Sequence, residues 1–257
     1  MTITLPERPS TGHAERYKRS IVSVDVRDLG SWDDAVRCTF AFLHQVEALF
    51  AIEECDSQIS RIRQGKLRLD QADPRMQEVL QLCADVEGET DGYFSTHWHE
   101  LFDPTGLIKG WAAGRASQML RGYGSYNHAV SVGSDTRLLG EPRPGRPWNI
   151  GISDPIHPTR LLTTAGGRDF AVATSAPDRH GLRIINPHTW TVASALRSAT
   201  VIGPDSARAD GYSTAAFAMG HDALPWVESL TGYEALVVTA NGRTRWSSGF
   251  PGAIGVR

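Results

Sequence analysis

The sequence predicts an α+β fold in which helices from the N-terminal half pack on antiparallel-rich sheets. Helical periodicity is concentrated in the first half of the chain, whereas short strand patterns separated by Gly- and Pro-rich turns dominate the second half. This segregation of helices and strands favours an α+β fold. The 257 residues contain no internal repeat, low-complexity tract or linker, so we expect one large domain over residues 21–257 after a polar tail over residues 1–20.

The first half begins with a strand and continues with three helical patterns. Ile21–Val26 alternates apolar and polar side chains, which is typical of a half-buried strand. An apolar stripe over residues 32–52 predicts a long helix with Ser31 as its N-cap. We expect a short helix or turn over residues 57–63. A third helix is expected over residues 74–89, where a proline occupies the first turn.

The second half carries short apolar segments that predict strands. These segments are residues 129–132, 148–152, 169–174, 182–185 and 200–202. A short helix is expected over residues 225–230. It is followed by a hairpin of residues 234–239 and 244–246, whose Asn241-Gly242 turn is a strong signal for this motif.

One stretch, residues 205–220, carries the clearest candidate for a metal site. Ser206, Asp210 and Thr214 recur every four residues, so in a helix they share one face. A carboxylate and a hydroxyl one turn apart offer hard oxygen ligands, which suit Mg²⁺ completed by water and phosphate oxygens. The alternative is that Asp205 or Ser206 caps the helix, Asp210 interacts with the helix start and Thr214 is ordinary packing.

A second candidate lies where a polar loop enters a helix rich in small residues, at residues 102–121. Pro104 and Gly106 mark the loop, which could place backbone amides and Lys109 beside a phosphate at the helix N-terminus. The residue order of a P-loop is absent, so that assignment is rejected. The alternative is a helix entry whose glycines and alanines allow close packing.

The overall composition argues against several classes of protein. A net charge of -3 distributed over both signs gives no basic surface, so we expect no nucleic-acid partner. No apolar run approaches the roughly 20 residues that span a bilayer, so we expect no membrane span. Cys38, Cys55 and Cys83 have no zinc-site or disulfide spacing, which favours reduced thiols and a cytoplasmic location.

Four separated stretches carry motifs that are informative in combination. They are Asp56-Ser-Gln-Ile-Ser60, Asp103-Pro-Thr-Gly-Leu-Ile-Lys-Gly110, Trp148-Asn-Ile-Gly-Ile-Ser-Asp-Pro155 and Ala209-Asp-Gly-Tyr-Ser-Thr214. In this order they resemble four motifs of the FAD:protein FMN transferase family, the ApbE-like flavin transferases. The family motifs are Asp-Ser-x-[Ile/Leu]-Ser, Asp-Leu-Gly-Gly-Ile-Ala-Lys-Gly, Trp-x-[Val/Ile]-Gly-Ile-x-[Asp/Asn]-Pro and Ala-Asp-[Ala/Gly]-x-[Ala/Ser]-Thr. The resemblance covers residues 21–250.

The resemblance implies a fold, a reaction and a set of site residues. The implied fold is the family's T-fold-like architecture. The implied reaction transfers FMN from FAD to a threonine of an acceptor flavoprotein and releases AMP. The implied Mg²⁺ ligands are Asp210, Thr214 and the Gly106 carbonyl, and the implied FAD contacts are Asp103, Lys109 and the backbone at Ile184.

The chain departs from the family around the flavin and the catalytic base. The family's His-Ile-[Ile/Met]-Asp-Pro-x-Thr-Gly reads Arg183-Ile-Ile-Asn-Pro-His-Thr-Trp190, so an arginine, which stays charged, replaces the histidine. The flavin stretch Gly-Ala-Phe-Asp reads Gly92-Tyr93-Phe94-Ser95, which keeps candidate flavin contacts but loses the carboxylate. His180 or His188 is a candidate replacement for the base.

These departures leave three hypotheses open. The first is a working transferase in which Arg183 and His180 carry the catalytic roles. The second is an FAD-binding protein without transferase activity. The third is a Mg²⁺-dependent FAD pyrophosphatase, in which water attacks the phosphate and FMN and AMP are released. Loss of a general base typically costs about 10²–10⁴-fold in rate, so the transferase is expected to be weak unless the base is replaced.

Overall fold

The computed structural model describes residues 12–16, 21–98, 101–177 and 184–251. Its strands are β1 (His13–Arg16), β2 (Ile21–Val26), β3 (His97–Trp98), β4 (Leu101–Phe102), β5 (His128–Val132), β6 (Asp135–Leu139), β7 (Trp148–Ser153), β8 (Leu161–Gly167), β9 (Ala171–Ser175), β10 (Ile185–Asn186), β11 (Thr191–Val192), β12 (Leu196–Gly203), β13 (Glu234–Thr239) and β14 (Thr244–Trp246). Its α-helices are α1 (Asp33–Phe50), α2 (Gln58–Arg63), α3 (Pro74–Glu89), α4 (Thr105–Gly122), α5 (Ser206–Met219) and α6 (Ala223–Glu228). The predicted α+β class is confirmed.

An eight-stranded antiparallel sheet organises the fold, with strand order β1-β2-β5-β6-β9-β12-β13-β14. Helices α4 and α5 pack on one face of this sheet, and the β7–β8 hairpin covers the other face. The side chains of β13 therefore alternate between two hydrophobic cores, one on each face of the sheet. Ala235 and Val237 pack with the helices, while Leu236 and Val238 pack with Trp148 of the hairpin.

The helix predictions are largely confirmed. Helices α2 and α3 begin where expected, with side-chain caps from Ser57 and Asp73. The predicted cap of α1 is wrong, because the helix begins after Trp32 without a side-chain cap. The Ser31 hydroxyl instead donates to the Asp33 carboxylate at 3.2 Å and does not reach a backbone amide of the first turn. Helix α6 starts two residues earlier than predicted.

Most of the strand predictions are right in position, but the set is incomplete. Strand β9 starts at Ala171 because Asp169 adopts a positive φ of 53° in the preceding turn. Strands β6 and β8 are not predicted, since β6 opens with polar and charged residues and β8 ends in two glycines. Part of the predicted tail forms edge strand β1, which pairs with β2. Of the strand predicted at residues 182–185, Ile185 lies in β10, and residues 182 and 183 lie outside the described ranges.

The motif around Trp148 has a structural role. The Trp148 indole is buried in the second core and donates to the Leu139 carbonyl at 2.9 Å. The Arg27 guanidinium lies 5.9 Å from the centre of its ring and also pairs with Asp25. This motif therefore joins the β7–β8 hairpin to the main sheet.

The cysteines are unpaired thiols, as the spacing of Cys38, Cys55 and Cys83 predicts. None of the helices in the described part of the chain combines the length and apolar character that crossing a bilayer requires. The cytoplasmic location stays a prediction.

A buried histidine links α4 to the sheet. His128 lies between the hydroxyl oxygens of Ser117 and Ser125, at 2.7 Å from Nε2 and 2.8 Å from Nδ1. Because Ser125 donates its proton to Asp28, Nδ1 of the histidine carries the imidazole proton and Nε2 accepts from Ser117. Burial lowers the pKa of His128 to about 4.

The stability of the fold is therefore expected to fall as the pH drops below about 6.5. The unfolded imidazole takes up a proton near that pH, whereas the folded one resists protonation until about 4. Urea unfolding measures the free energy of unfolding at about pH 7.5 and about pH 5. Between these two pH values, wild type should lose about 2 kcal/mol more of this free energy than His128→Gln. An equal loss in both proteins would contradict this assignment.

Candidate functional site

Helices α4 and α5 cross at a contact made of small residues. A Cβ added to Gly110 would lie 2.1 Å from the Ser206 carbonyl oxygen and 2.6 Å from Cβ of Asp210. A Cβ added to Gly114 would lie 2.5 Å from the Ser206 hydroxyl. The glycines of residues 102–121 therefore allow close helix packing, as the alternative interpretation of this stretch stated. The same close packing brings this stretch against residues 205–220. Gly110 and Asp210 meet although they are 100 positions apart.

Asp210 belongs to a buried cluster of charges at this crossing. Its Oδ2 accepts a hydrogen bond from the Gly110 amide at 2.9 Å, and its Oδ1 lies 3.7 Å from Nζ of Lys109. Lys109 also donates to the carboxylate of Asp135 and to Ser134 Oγ. Burial, with the nearby charge of Asp135, raises the pKa of Asp210. Burial alone lowers the pKa of Lys109, but the two carboxylates outweigh it and leave the pKa raised, so Lys109 stays a cation.

Oxygen atoms from three elements meet one helical turn further along α5. Thr214 Oγ1 donates to the carbonyl of Gly106 at 3.1 Å. Ser175 Oγ lies 3.1 Å from Thr214 Oγ1 and 2.8 Å from Ser213 Oγ. Asp205 caps α5 by accepting from a backbone amide at 2.8 Å, so the capping alternative also holds for this helix.

These oxygens suit a hard divalent cation. Mg²⁺ with bonds of about 2.1 Å in an octahedron places neighbouring ligands about 3 Å apart. The spacing of 3.1 Å between Thr214 Oγ1 and the Gly106 carbonyl matches such a pair. The described part of the chain holds no group of three or more His, Cys, Asp or Glu placed for a metal. A site with one carboxylate, Asp210, fits an ion that keeps several water or phosphate ligands.

Asp103 is fixed at the start of α4. Its Oδ1 accepts from the Thr105 amide at 2.9 Å, and its Oδ2 lies 3.7 Å from the Arg63 guanidinium. Arg63 also donates to the carbonyl of Phe102. Asp103 therefore orients the loop that carries the predicted FAD contacts.

The predicted flavin stretch lies directly beside α4. Phe94 is buried, and a Cβ added to Gly106 would lie 3.2 Å from its ring. Tyr93 is half-buried and packs against His188, with ring centres 4.3 Å apart and ring planes tilted by 41°. The Ser95 hydroxyl accepts from the His97 amide at 3.2 Å. Phe94 thus packs against the start of α4 at Gly106, while Tyr93 packs against the turn that carries His188.

The predicted catalytic residues Arg183 and His180 lie outside the described residues. Ile184 is described, and its carbonyl accepts from the Ala193 amide at 2.9 Å. His188, the other candidate base, donates through Nε2 to the Asp91 carbonyl at 2.9 Å. This contact makes His188 a link between two turns.

Three side chains that contact these residues were not among the predicted site residues: Arg63, Asp135 and Ser175. Asp135 accepts from Lys109 and, through Oδ1, from the Thr174 amide at 3.1 Å. Its strand, β6, is itself not predicted. Only the packing of β6 and β9 against the helices brings Asp135 and Ser175 to Lys109 and Thr214.

An α+β fold with a carboxylate, a hydroxyl, a carbonyl and a lysine at one helix crossing defines a candidate site for a metal ion and a phosphate. The sequence model of the ApbE family matches residues 101–237, more than half of the 257 residues. The chain therefore belongs to the ApbE family.

Similar proteins support this membership. The chain is 31% identical over 148 residues to an FAD:protein FMN transferase of Vibrio cholerae, a match covering 53% of this chain and 43% of that protein. It is 30% identical over 131 residues to an FAD:protein FMN transferase of Haemophilus influenzae, covering 47% and 38%. The matches thus span less than half of these curated relatives.

Solved structures share the fold. The ApbE protein of Thermotoga maritima superposes with a TM-score of 0.81 at 20% identity, covering 93% of this chain and 97% of its own. A mutant of the flavin transferase ApbE from Vibrio cholerae gives 0.79 at 19% identity, covering 95% and 99%. The ApbE-like architecture implied by the motifs is confirmed.

Proposed function

We propose that this protein is a Mg²⁺-dependent FAD:protein FMN transferase, which moves FMN from FAD to a threonine of an acceptor protein and releases AMP. Two neighbouring sets of contacts support the proposal: Thr214 Oγ1 bonds the Gly106 carbonyl, and one turn earlier on α5 the Asp210 carboxylate contacts the Gly110 amide and Lys109. The names of the curated relatives support FAD as the substrate and a protein as the acceptor.

Asp210, Thr214 and the Gly106 carbonyl are the residues that would hold Mg²⁺. Bound there, the ion would neutralise charge on the pyrophosphate and make its phosphorus easier to attack. Lys109, kept cationic by Asp135 and Asp210, supplies a positive charge for a phosphate oxygen. Asp103 holds the start of α4 through the Thr105 amide, so the nucleotide meets a preformed surface.

The transfer needs one bond to form and one to break. The threonine oxygen of the acceptor bonds to the phosphorus of the FMN half, and the pyrophosphate bond to AMP breaks. The threonine proton must leave to a base. Arg183 stays charged and cannot accept it, so we assign the proton to His180 and the stabilisation of phosphate charge to Arg183.

Because Arg183 stands where the family motif has histidine, a second candidate function must be considered. If no base replaces the family histidine, the site binds FAD without transferring FMN, or water takes the place of threonine and the products are FMN and AMP. The metal ligands and Lys109 suit FMN transfer, FAD binding and FAD hydrolysis equally well. These three functions therefore differ only in whether the flavin ends on the acceptor protein, stays in FAD or is released as FMN.

Arg183→His tests the assignment of the base. If the base is simply lost, the variant should release AMP about 10- to 100-fold faster than wild type, in the range of general-base catalysis. If Arg183 stabilises phosphate charge, as proposed, the variant should be slower. The rate of AMP release from FAD with Mg²⁺ is measured for wild type and for Arg183→His. Arg146→His, at an exposed turn, is the matched control. Inert forms that still bind FAD would overturn the transferase in favour of a binding protein.

A further inference from the structure

Ser175, the last residue of β9, contacts two hydroxyl groups of helix α5. Its Oγ lies 2.8 Å from Ser213 Oγ and 3.1 Å from Thr214 Oγ1. The backbone at Ser175 pairs in register with Ala199 of β12, and β9 packs directly against α5. The sheet therefore holds a half-buried hydroxyl at a fixed position beside Thr214, which is one of the proposed metal ligands.

The direction of the hydrogen bond between Ser175 and Ser213 follows from the protons available. A hydroxyl has one proton to donate and two lone pairs that accept, whereas a carbonyl oxygen only accepts. The Ser213 hydroxyl donates its proton to the carbonyl of Asp210 at 2.9 Å. Toward Ser175 it therefore acts as an acceptor, and Ser175 gives it the single proton that a serine hydroxyl has. The oxygen of Ser175 can then only accept from Thr214.

The Thr214 proton has two acceptors at equal distance. The Gly106 carbonyl and Ser175 Oγ each lie 3.1 Å from Thr214 Oγ1. When a divalent cation binds both Thr214 Oγ1 and the Gly106 carbonyl, a proton between these two oxygens lies close to the positive charge and is repelled. Ser175 Oγ is then the acceptor to which the Thr214 proton turns.

We propose that Ser175 is a positioning residue of the metal site, whose oxygen accepts the Thr214 hydroxyl proton while Mg²⁺ is bound. The inference rests on the proposed function, since it assumes that Thr214 and the Gly106 carbonyl hold Mg²⁺. An acceptor behind a ligand fixes the orientation of that ligand and makes its oxygen a stronger donor to the metal. Loss of such an outer partner typically weakens metal binding by about 10- to 100-fold. Ser213 supports this arrangement, since it takes the Ser175 proton and leaves the lone pairs of Ser175 for Thr214.

Binding of Mn²⁺ tests the inference independently of catalysis. Mn²⁺ prefers the same oxygen ligands as Mg²⁺, and electron paramagnetic resonance measures the concentration of the free ion. Ser175→Ala is expected to raise the dissociation constant of Mn²⁺ about tenfold, with or without FAD. Ser175→Thr keeps the accepting oxygen and should stay within about twofold of wild type. In AMP release, Ser175→Ala should need about tenfold more Mg²⁺ for its half-maximal rate and reach a similar rate at saturating Mg²⁺.

Thr200→Val is the matched control, because it removes a buried hydroxyl that lies 2.9 Å from Thr174 Oγ1 in the same sheet. This variant should bind Mn²⁺ like wild type. If Ser175→Ala binds Mn²⁺ like wild type while Asp210→Asn does not, the inference is overturned and the proposed function stands. Equal weakening in Ser175→Ala and Thr200→Val would overturn the inference by showing a general loss of stability. A loss in Ser175→Ala as large as that in Thr214→Val would overturn it by making Ser175 a ligand itself. If wild type binds no Mn²⁺ with or without FAD, the proposed metal site fails together with the inference.

Discussion

Asp210→Asn is expected to lower Mg²⁺-dependent AMP release from FAD by about 10²–10³-fold. The asparagine keeps an oxygen that can accept from the Gly110 amide, but it removes the negative charge that would bind the metal. The fold should persist, because burial raises the pKa of Asp210 and therefore already disfavours its charge. The measurement is AMP release across a Mg²⁺ titration, with the melting temperature recorded alongside.

Two matched changes on the same helix control this prediction. Asp205→Asn preserves a good N-cap on α5 and should keep nearly full activity. Thr214→Ser retains the oxygen that faces the Gly106 carbonyl, whereas Thr214→Val removes it. The serine variant should therefore stay active and the valine variant should not. If Asp210→Asn kept the Mg²⁺ dependence of wild type, the metal assignment would be wrong.

Gly110→Ala is expected to destabilise the fold by about 3 kcal/mol and to abolish activity. The added Cβ would lie 2.1 Å from the backbone carbonyl of Ser206 and 2.6 Å from Cβ of Asp210, so the two helices must move apart. That movement displaces Lys109 from Asp210. Urea unfolding gives the free energy, and AMP release gives the activity.

Gly122→Ala, at the end of the same helix, is the matched control. No atom lies within 4 Å of a Cβ added there, so the change should be neutral or stabilise the helix by up to about 1 kcal/mol. Equal effects of the two substitutions would show that the α4–α5 contact does not require glycine.

The sequence was most informative where local chemistry decides the structure. The start of α3 at a proline, the Asn241-Gly242 turn and the helical spacing in α5 all depend on chemistry within a few residues, and the structure has each of them. The Asp210–Thr214 pair was found for the same reason, because a helix places residues four apart on one face.

The remainder of the site depends on contacts between distant parts of the chain. Asp135 lies on a strand whose polar sequence gives no alternation signal, and the sheet alone buries it against Lys109. Arg63 reaches the loop before α4 from a helix about 40 positions earlier in the chain. Ser31 shows the opposite error: its residue type fits a cap, but its hydroxyl bonds a neighbouring carboxylate instead.

The most direct test of the central claim is whether wild-type protein transfers flavin to a threonine. The protein would be incubated with FAD and Mg²⁺, with and without an acceptor domain that carries a target threonine. We predict AMP release together with in-gel flavin fluorescence on the acceptor, and loss of both when the metal is chelated. AMP released with free FMN and no labelled acceptor would contradict the transferase and identify a pyrophosphatase. Fluorescence on the acceptor that persists in chelator would contradict the role of Asp210 and Thr214 as metal ligands.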